Sequence, residues 1–342
     1  MGSFMGHILP GVLFIFYGMW LAFKNSYRHF VKKRSSNRRC LRLCTVNNAE
    51  SIMLIVLPCV GIFLEQLTNH GPKFHLTNSS SEYFSGNNWS HSTMYLFFAF
   101  VGVADLLQFK VPQFVPRGIR DLMLCLALLI EGYLFYFHTH GRPELDVRIH
   151  VLLLLAIWGG AMTSGILGVL EAIMKDTDDE KSNNNSHKKS NEGFIELKNQ
   201  EQESETALLG ETKSNEYTPI LTEDGTNNLS QEKLSPEFLA LTVSLQKILK
   251  QIVAPDRCEK SHLQIILRQA IATSIFLQGT WFCQVAAILY PPGKEAWEVN
   301  HTNVHFATIF FAWHLAAAIF LNSAVHLTMY ALTCRKRKIR AI

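Results

Sequence analysis

The chain contains 342 residues, 48% of them apolar and 23 of them phenylalanine, with a formal net charge of +4. The apolar residues are gathered into runs of about 20 residues, the length at which a helix crosses about 30 Å of hydrocarbon. This pattern argues against a chain of two soluble domains. A nucleic-acid partner is not expected either, because juxtamembrane charge facing anionic lipid explains the basic runs.

Seven apolar runs predict an all-α, polytopic membrane protein folded as a seven-transmembrane helix bundle in the lipid bilayer. They cover roughly residues 4–23, 50–67, 92–109, 119–137, 149–173, 263–290 and 304–332. No small-residue cleavage signature follows the first run, so we expect it to be a retained span. The predicted membrane regions are therefore 1–174, with helices one to five, and 262–334, with helices six and seven.

The distribution of positive charge predicts the orientation. Lysine and arginine concentrate after spans one, three and seven, whereas the connections on the opposite side contain few. The positive-inside rule then predicts a lumenal or extracellular N-terminus and a cytosolic basic tail at 335–342. Glycosylation sequons at Asn78, Asn88 and Asn300 fall in the outer connections, and we expect these asparagines to carry glycans.

A long polar segment separates spans five and six. Residues 175–235 are rich in Asn, Ser, Glu, Lys and Thr, the composition of a disordered cytosolic linker. Residues 236–254 repeat apolar positions at helical spacing, which predicts a cytosolic or interfacial amphipathic helix. The sequence Glu-Thr-Ala-Leu-Leu ending at Leu209 resembles an acidic dileucine signal, so we expect cytosolic trafficking adaptors to bind within 175–254.

The connection between spans four and five combines histidines and carboxylates in a short loop. With the other outer-side groups, it gives a candidate metal site of His7, Glu65, His91, His138, His140, His150 and His305. Neutral imidazoles with a carboxylate suit zinc or another divalent transition metal. Two alternatives stay open: interfacial histidines that hydrogen-bond loops and lipid headgroups, and a proton-coupled function without metal.

Several polar residues lie deeper within the predicted spans. They are Asp105, Glu131, Gln278, Gln284 and His314. Ionisable groups at such depth usually face the interior of a bundle or a wet cavity. We therefore predict an intramembrane polar path for an ion or protons, with interhelical hydrogen bonding as the alternative.

Several short motifs together resemble the transmembrane protein 45 family. They are Met1-Gly2-Ser3-Phe4 with Gly6-His7 and Leu9-Pro10-Gly11, Gly102-Val103-Ala104-Asp105, His138-Thr139-His140-Gly141-Arg142, Leu277-Gln278-Gly279-Thr280-Trp281-Phe282 and Leu289-Tyr290-Pro291-Pro292. The similarity covers nearly all membrane segments. It implies a seven-span protein of the Golgi, endosomal or plasma membrane system, without a settled activity and with ties to innate immunity and trafficking.

Three functions compete at this point. The first is a non-enzymatic membrane protein that can form a homo-oligomer and whose outer His/Glu cluster binds a divalent metal and supports structural, trafficking or transport roles. The second is a zinc-dependent seven-span lipid amide hydrolase similar to ceramidases, which would need three ligands and a bound water. The third, a receptor, is suggested only by span count. The sequence contains no clear nucleophile motif, so we assign no catalytic residue.

Overall fold

The computed structural model describes residues 4–31, 37–67, 71–77, 80–173 and 257–339. The described residues form seven α-helices and an isolated bridge between Thr77 and Tyr83. The helices are α1 Phe4–Val31, α2 Asn37–Leu67, α3 Gly86–Lys110, α4 Ile119–His138, α5 Glu144–Ile173, α6 Arg257–Leu289 and α7 His301–Ile339. The predicted all-α class is confirmed. The predicted linker 175–235, the helix 236–254 and the end of the basic tail lie outside the described residues.

Six of the described helices are long and apolar enough to cross a membrane. The qualifying segments are Phe4–Phe30, Asn48–Leu67, Gly86–Lys110, Glu144–Ile173, His262–Leu289 and His301–Thr333. The chain is therefore a multi-pass membrane protein that associates with the lipid bilayer. Helix α4 covers the predicted fourth span but is not among the six. It contains Arg120, Asp121 and Glu131, and the seventh crossing stays a prediction.

Helices α5 and α6 lie in the centre of the bundle. More than half of their apolar windows are buried, 56% in α5 and 61% in α6, against 11% in α7. Helix α7 packs on α1 and α6, and it exposes Trp313, Ile319 and Phe320 on its outer face. Large apolar side chains on a peripheral helix are suited to contact lipid. Lipid tails are as apolar as these side chains, so no hydrophobic driving force buries them inside the bundle.

Helix α1 crosses α6 at very short range because glycines line the contact. A Cβ atom added to Gly279 would lie 2.5 Å from the backbone nitrogen of Ile15 and 2.6 Å from the carbonyl oxygen of Gly11. A Cβ atom on Gly18 would lie 2.6 Å from the nitrogen of Phe276. Small residues let helix backbones approach in this way inside membranes. The contact brings the start of α1 beside the end of α6.

Helix α1 is longer than its apolar run predicts. The predicted span ends at residue 23, whereas the helix continues to Val31. Lys24 is buried and forms an ion pair with Glu50, and the side-chain amide of Asn25 donates to the carbonyl oxygen of Arg268 at 3.0 Å. These partners let polar residues remain in the bundle, so the change in composition after residue 23 does not end the helix.

Candidate functional site

The candidate site lies where α4 ends and α5 begins. Helix α4 ends at His138, a turn follows in which Gly141 takes a φ of 74°, and α5 starts at Glu144. His138, Arg142, Asp146 and His150 follow one another at intervals of four residues. Asp146 and His150 both lie in α5, where this interval places side chains on the same face. We call these four residues, together with His7 of α1, the His138 cluster, and their end of the bundle the His138 end.

A chain of hydrogen bonds connects the residues of the His138 cluster. Nη2 of Arg142 lies 2.6 Å from Nε2 of His138, and Nη1 lies 3.0 Å from Oδ2 of Asp146. Nδ1 of His150 lies 2.8 Å from Oδ1 of Asp146 and also 2.8 Å from its carbonyl oxygen. The side chain of His150 is only 1% exposed, against 19% for Arg142 and 13% for Asp146. The cluster therefore runs from a half-buried arginine to a fully buried imidazole.

His7 brings helix α1 into the same cluster. Its ring centroid lies 6.2 Å from that of His150, and the His138 ring lies 6.0 Å from His150 on its own side. Tyr290 contacts His7 at 5.3 Å between centroids, and Phe135 lies 6.4 Å from His150. Three imidazoles from α1, α4 and α5 thus meet next to aromatic side chains in a largely buried place.

The hydrogen-bond partners fix the role of one ring nitrogen in each of two imidazoles. A guanidinium has donors and no acceptor, so Nε2 of His138 must accept from Arg142, and the ring is neutral. Nδ1 of His150 faces only oxygen atoms of Asp146 and therefore donates. Burial, followed by the positive charge of Arg142, lowers the pKa of His138 from 6.5 to about 4. His150 and His91 lower this pKa further, while Asp146 raises it.

The other predicted metal ligands lie outside the His138 cluster. Glu65 and His91 form a separate pair, with Oε1 of Glu65 at 3.0 Å from Nδ1 of His91. His140 is exposed and stacks on Phe137 at 5.6 Å between centroids. His305 is exposed on the first turns of α7. Among the described residues, no group of three or more His, Cys, Asp or Glu side chains is arranged to hold a metal ion.

The opposite end of the bundle contains a second network, centred on Arg120. Its Nη2 lies 3.5 Å from Glu50 Oε1, its Nη1 lies 3.4 Å from Asp121, and its Nε lies 3.3 Å from Asp105. Nη2 also donates to the Tyr17 hydroxyl at 3.2 Å. Further members are Lys24, Trp20 and Ser51, which contact Glu50 or Asp105. We call this the Arg120 network, and it connects helices α1 to α4.

The predicted intramembrane polar residues do not form one continuous line. Asp105 belongs to the Arg120 network, and Glu131 is 2% exposed with a buried Oε2 that has no partner among the described residues. Gln278 is fully buried, with Nε2 at 3.5 Å from the Ser274 hydroxyl. Only Gln284 and His314 contact each other, at 3.4 Å.

Sequence reasoning missed the roles of Arg142, Asp146, Lys24 and Arg120. Lys24 and Arg120 count as juxtamembrane charge in the sequence, but both are largely buried and paired in the fold. Buried charges need such partners, because desolvation of an unpaired ion costs several kcal/mol. For the His138 cluster, the four-residue spacing from His138 to His150 was an available signal.

The fold and the site thus define a multi-pass helical membrane protein with two polar networks at opposite ends of its bundle. Comparison with known proteins agrees with this class. Residues 239–327, which include most of α6 and α7, match DUF716, described as a family of unknown function. The transmembrane protein 45 family shares DUF716, so the resemblance seen in the sequence is supported at this broader level.

Two curated relatives are similar at a distance. Transmembrane epididymal protein 1A of Mus musculus is 22% identical over 172 residues, which cover 46% of this chain and 54% of that protein. Transmembrane epididymal protein 1 of Rattus norvegicus aligns with the same values. The chain therefore spans about half the length of the curated relatives it matches.

Proposed function

We propose that this protein is a non-enzymatic, seven-span membrane protein of the secretory pathway whose His138 cluster faces the lumen and responds to protons. The observation that carries the proposal is the 2.6 Å contact in which Arg142 donates to the Nε2 atom of His138. A proton on that nitrogen would replace an acceptor by a donor and place two positive groups against each other. The contact is therefore compatible with only one protonation state of His138.

The surrounding charges make the cluster sensitive to added protons. Asp146 is the only carboxylate among its five residues, and it already contacts both Arg142 and His150. Positive charge gained at His138 has no second carboxylate within the cluster to offset it. Loss of the His138–Arg142 contact would release the end of α4 from the start of α5. Histidine pairs are used in this way by proteins that sense acidic compartments.

A divalent metal is the competing ligand for the same nitrogen atoms. Asp146 orients His150 through Nδ1, an arrangement that also holds metal-ligating histidines. Zinc would have to take His7, His138 and His150 after His138 turned away from Arg142, because that contact occupies Nε2. The lipid hydrolase needs three converged ligands and a water, and no such group occurs among the described residues. No observation favours the hydrolase.

Hydrogen–deuterium exchange of residues 139–147 tests the proposal in protein reconstituted into nanodiscs. After correction for intrinsic exchange, we expect protection to fall between pH 7.5 and pH 5.5. His138→Gln should remove this dependence, because a Gln carbonyl accepts from Arg142 at any pH. His140→Gln is the matched control and should behave as wild type. Equal pH dependence in wild type and His138→Gln would refute the proposal. Protection that rises with stoichiometric zinc at pH 7.5 would instead favour the metal.

The trafficking, localisation and topology parts of the proposal rest on sequence patterns. Charge asymmetry and the sequons at Asn78, Asn88 and Asn300 support a lumenal His138 end, with α4 as the seventh span. Protease protection of epitope tags placed before residue 4 and after residue 342 tests this orientation. Tags on opposite sides of the membrane are expected, and tags on the same side would refute the seven-span count.

A further inference from the structure

A line of polar side chains follows the contact between α6 and α7 where α1 joins them. Nδ1 of His326 lies 3.1 Å from the Ser26 hydroxyl and 3.3 Å from Nε2 of Gln269. One turn farther along, Nδ2 of Asn322 donates to the Thr273 hydroxyl at 2.6 Å and to the carbonyl oxygen of Gln269 at 2.8 Å. We call this the inner stretch of the α6–α7 seam.

The seam has an outer stretch near the His138 end. Nε2 of His314 lies 3.4 Å from Oε1 of Gln284, so the imidazole donates to the amide oxygen. Trp281 connects this pair to the His138 cluster. Its ring lies 5.6 Å from that of His314, and its Nε1 donates to the carbonyl oxygen of Ile149 at 2.9 Å. Ile149 precedes His150 in the chain. The buried indole of Trp281 therefore contacts both the outer stretch and the residue next to the His138 cluster.

An apolar layer separates the two stretches. Leu277 of α6, Ala318 of α7 and Ala156 of α5 form a small buried cluster, with Phe276 and Phe311 packed on it. His314 and Asn322 are eight residues apart on α7, which corresponds to about 12 Å of helix. In this structure the seam is therefore closed by one layer of apolar side chains between two hydrogen-bonding regions.

Two buried acceptors on the inner stretch lack a donor among the described residues. They are Oδ1 of Asn322 and Oε1 of Gln269. Buried amide oxygens are nearly always hydrogen-bonded, and water supplies the donor where protein does not. Asn322 also lines a cavity of about 10 Å³ with Gly18, Ala272 and Ala318. That volume is close to what one water molecule requires. Of the two acceptors only Asn322 lines this cavity, whose other walls are apolar, so the inner stretch has space for one water beside Asn322.

The inner stretch ends among imidazoles from three helices. The ring of His29 lies 6.0 Å from His326 and 6.1 Å from His262. An imidazole can accept a proton at one nitrogen and release one from the other, which amide side chains do not do readily. The seam therefore has one imidazole, His314, in its outer stretch and three imidazoles at the end of its inner stretch, next to the amides of Gln269 and Asn322.

We propose that the α6–α7 seam conducts protons between the two ends of the bundle when water enters the layer formed by Leu277 and Ala318. This rests on the proposed function, since Trp281 contacts His314 and donates to the carbonyl oxygen of Ile149, the residue before His150. Each proton taken up by His314 is balanced by one released from the His29, His262 and His326 group. The conducted species is a proton, because hydrogen-bonded water and imidazole pass protons without moving a heavy atom through the layer.

Proton flux into proteoliposomes tests the seam. Reconstituted protein with a trapped pH-sensitive dye, an external pH of 5.5 and a valinomycin-clamped potential should acidify the lumen faster than protein-free vesicles. Asn322→Leu should lower this flux at least fivefold, because Leu cannot hold water in the cavity. Ser323→Ala, which alters the exposed neighbour of Asn322, should leave it unchanged. His314→Gln gives a second loss variant if Asn322→Leu does not fold.

A gain-of-function variant separates conduction from folding. Leu277→Ser places a hydroxyl in the apolar layer and should raise the flux severalfold without release of a trapped anionic dye. If neither wild type nor Leu277→Ser gave more proton flux than protein-free vesicles, the proposal that the seam conducts protons would be overturned. The pH dependence of hydrogen–deuterium exchange at residues 139–147 would then test separately whether the His138 cluster responds to protons. Flux that is insensitive to Asn322→Leu and His314→Gln would also refute this route.

Discussion

Asp146 holds two partners of different chemistry, with Arg142 at 3.0 Å from its Oδ2 atom and His150 at 2.8 Å from its Oδ1 atom. It therefore supplies the negative charge that keeps a guanidinium and a buried imidazole together at the start of α5. Both pairs are four residues apart, with Arg142 in the turn just before α5, so both contacts are local in the chain.

Asp146→Asn should destabilise the protein by about 1.5–3 kcal/mol, the usual value for hydrogen bonds to charged groups. The amide cannot offset the Arg142 charge and presents donors to it. Glu144→Gln is the control, since Glu144 is exposed in the same turn. Chemical unfolding in detergent micelles measures both variants. An Asp146→Asn protein as stable as Glu144→Gln would show that the chain of contacts contributes little.

Arg120→Met should lower the free energy of unfolding more than the loss of any single carboxylate in the Arg120 network. Removal of the guanidinium takes the Arg120 ion pair from Asp105 and Asp121 and leaves Glu50 with Lys24, and breaking buried charge pairs costs about 3–5 kcal/mol. Arg117→Met, at an exposed position just before α4, is the control. Thermal unfolding followed by circular dichroism compares them. Equal midpoints would contradict a structural role for the Arg120 network.

Alanine substitutions at two glycines should act in opposite directions. Gly159 lies within α5 with open space beside it, so Gly159→Ala should stabilise the protein by about 0.5–1 kcal/mol through helix propensity. At Gly279 the added Cβ would meet the backbone of α1, so Gly279→Ala should destabilise despite the same propensity gain. The midpoints of thermal unfolding measure whether each variant is more or less stable than wild type. Stabilisation by Gly279→Ala would show that α1 and α6 are less tightly packed.

The described sequons should differ in occupancy. Asn300 is exposed and caps α7, with its Oδ1 atom accepting from the Asn303 backbone at 2.8 Å. The Asn88 side-chain amide instead donates to Glu65 Oε2 at 2.9 Å and to its carbonyl oxygen at 3.1 Å. Asn300→Asp, which keeps the cap, should remove a glycosidase-sensitive mass shift. Asn88→Gln should leave that shift in place. The reverse pattern would refute this distinction.

Helix positions could be predicted from the sequence because lipid-spanning segments must be long and apolar. The ends of the helices could not, since Lys24 and Asn25 extend α1 only by finding partners on α2 and α6. The same limit applies to the candidate site. His7, His138 and His150 come together as predicted, but Glu65 pairs with His91 because the α2–α3 contact decides its neighbour. Pairing across helices depends on packing that single-chain periodicity does not contain.

The pH dependence of stability tests the central claim most directly. The folded His138 cluster resists protonation, with the pKa of His138 near 4 against 6.5 for an unconstrained histidine. Below pH 6.5 the opened or unfolded state therefore binds more protons, and native stability should fall progressively toward pH 4. Thermal unfolding across this range should show a steeper decline for wild type and His140→Gln than for His138→Gln. Parallel profiles for all three proteins would contradict a proton-responsive His138 cluster.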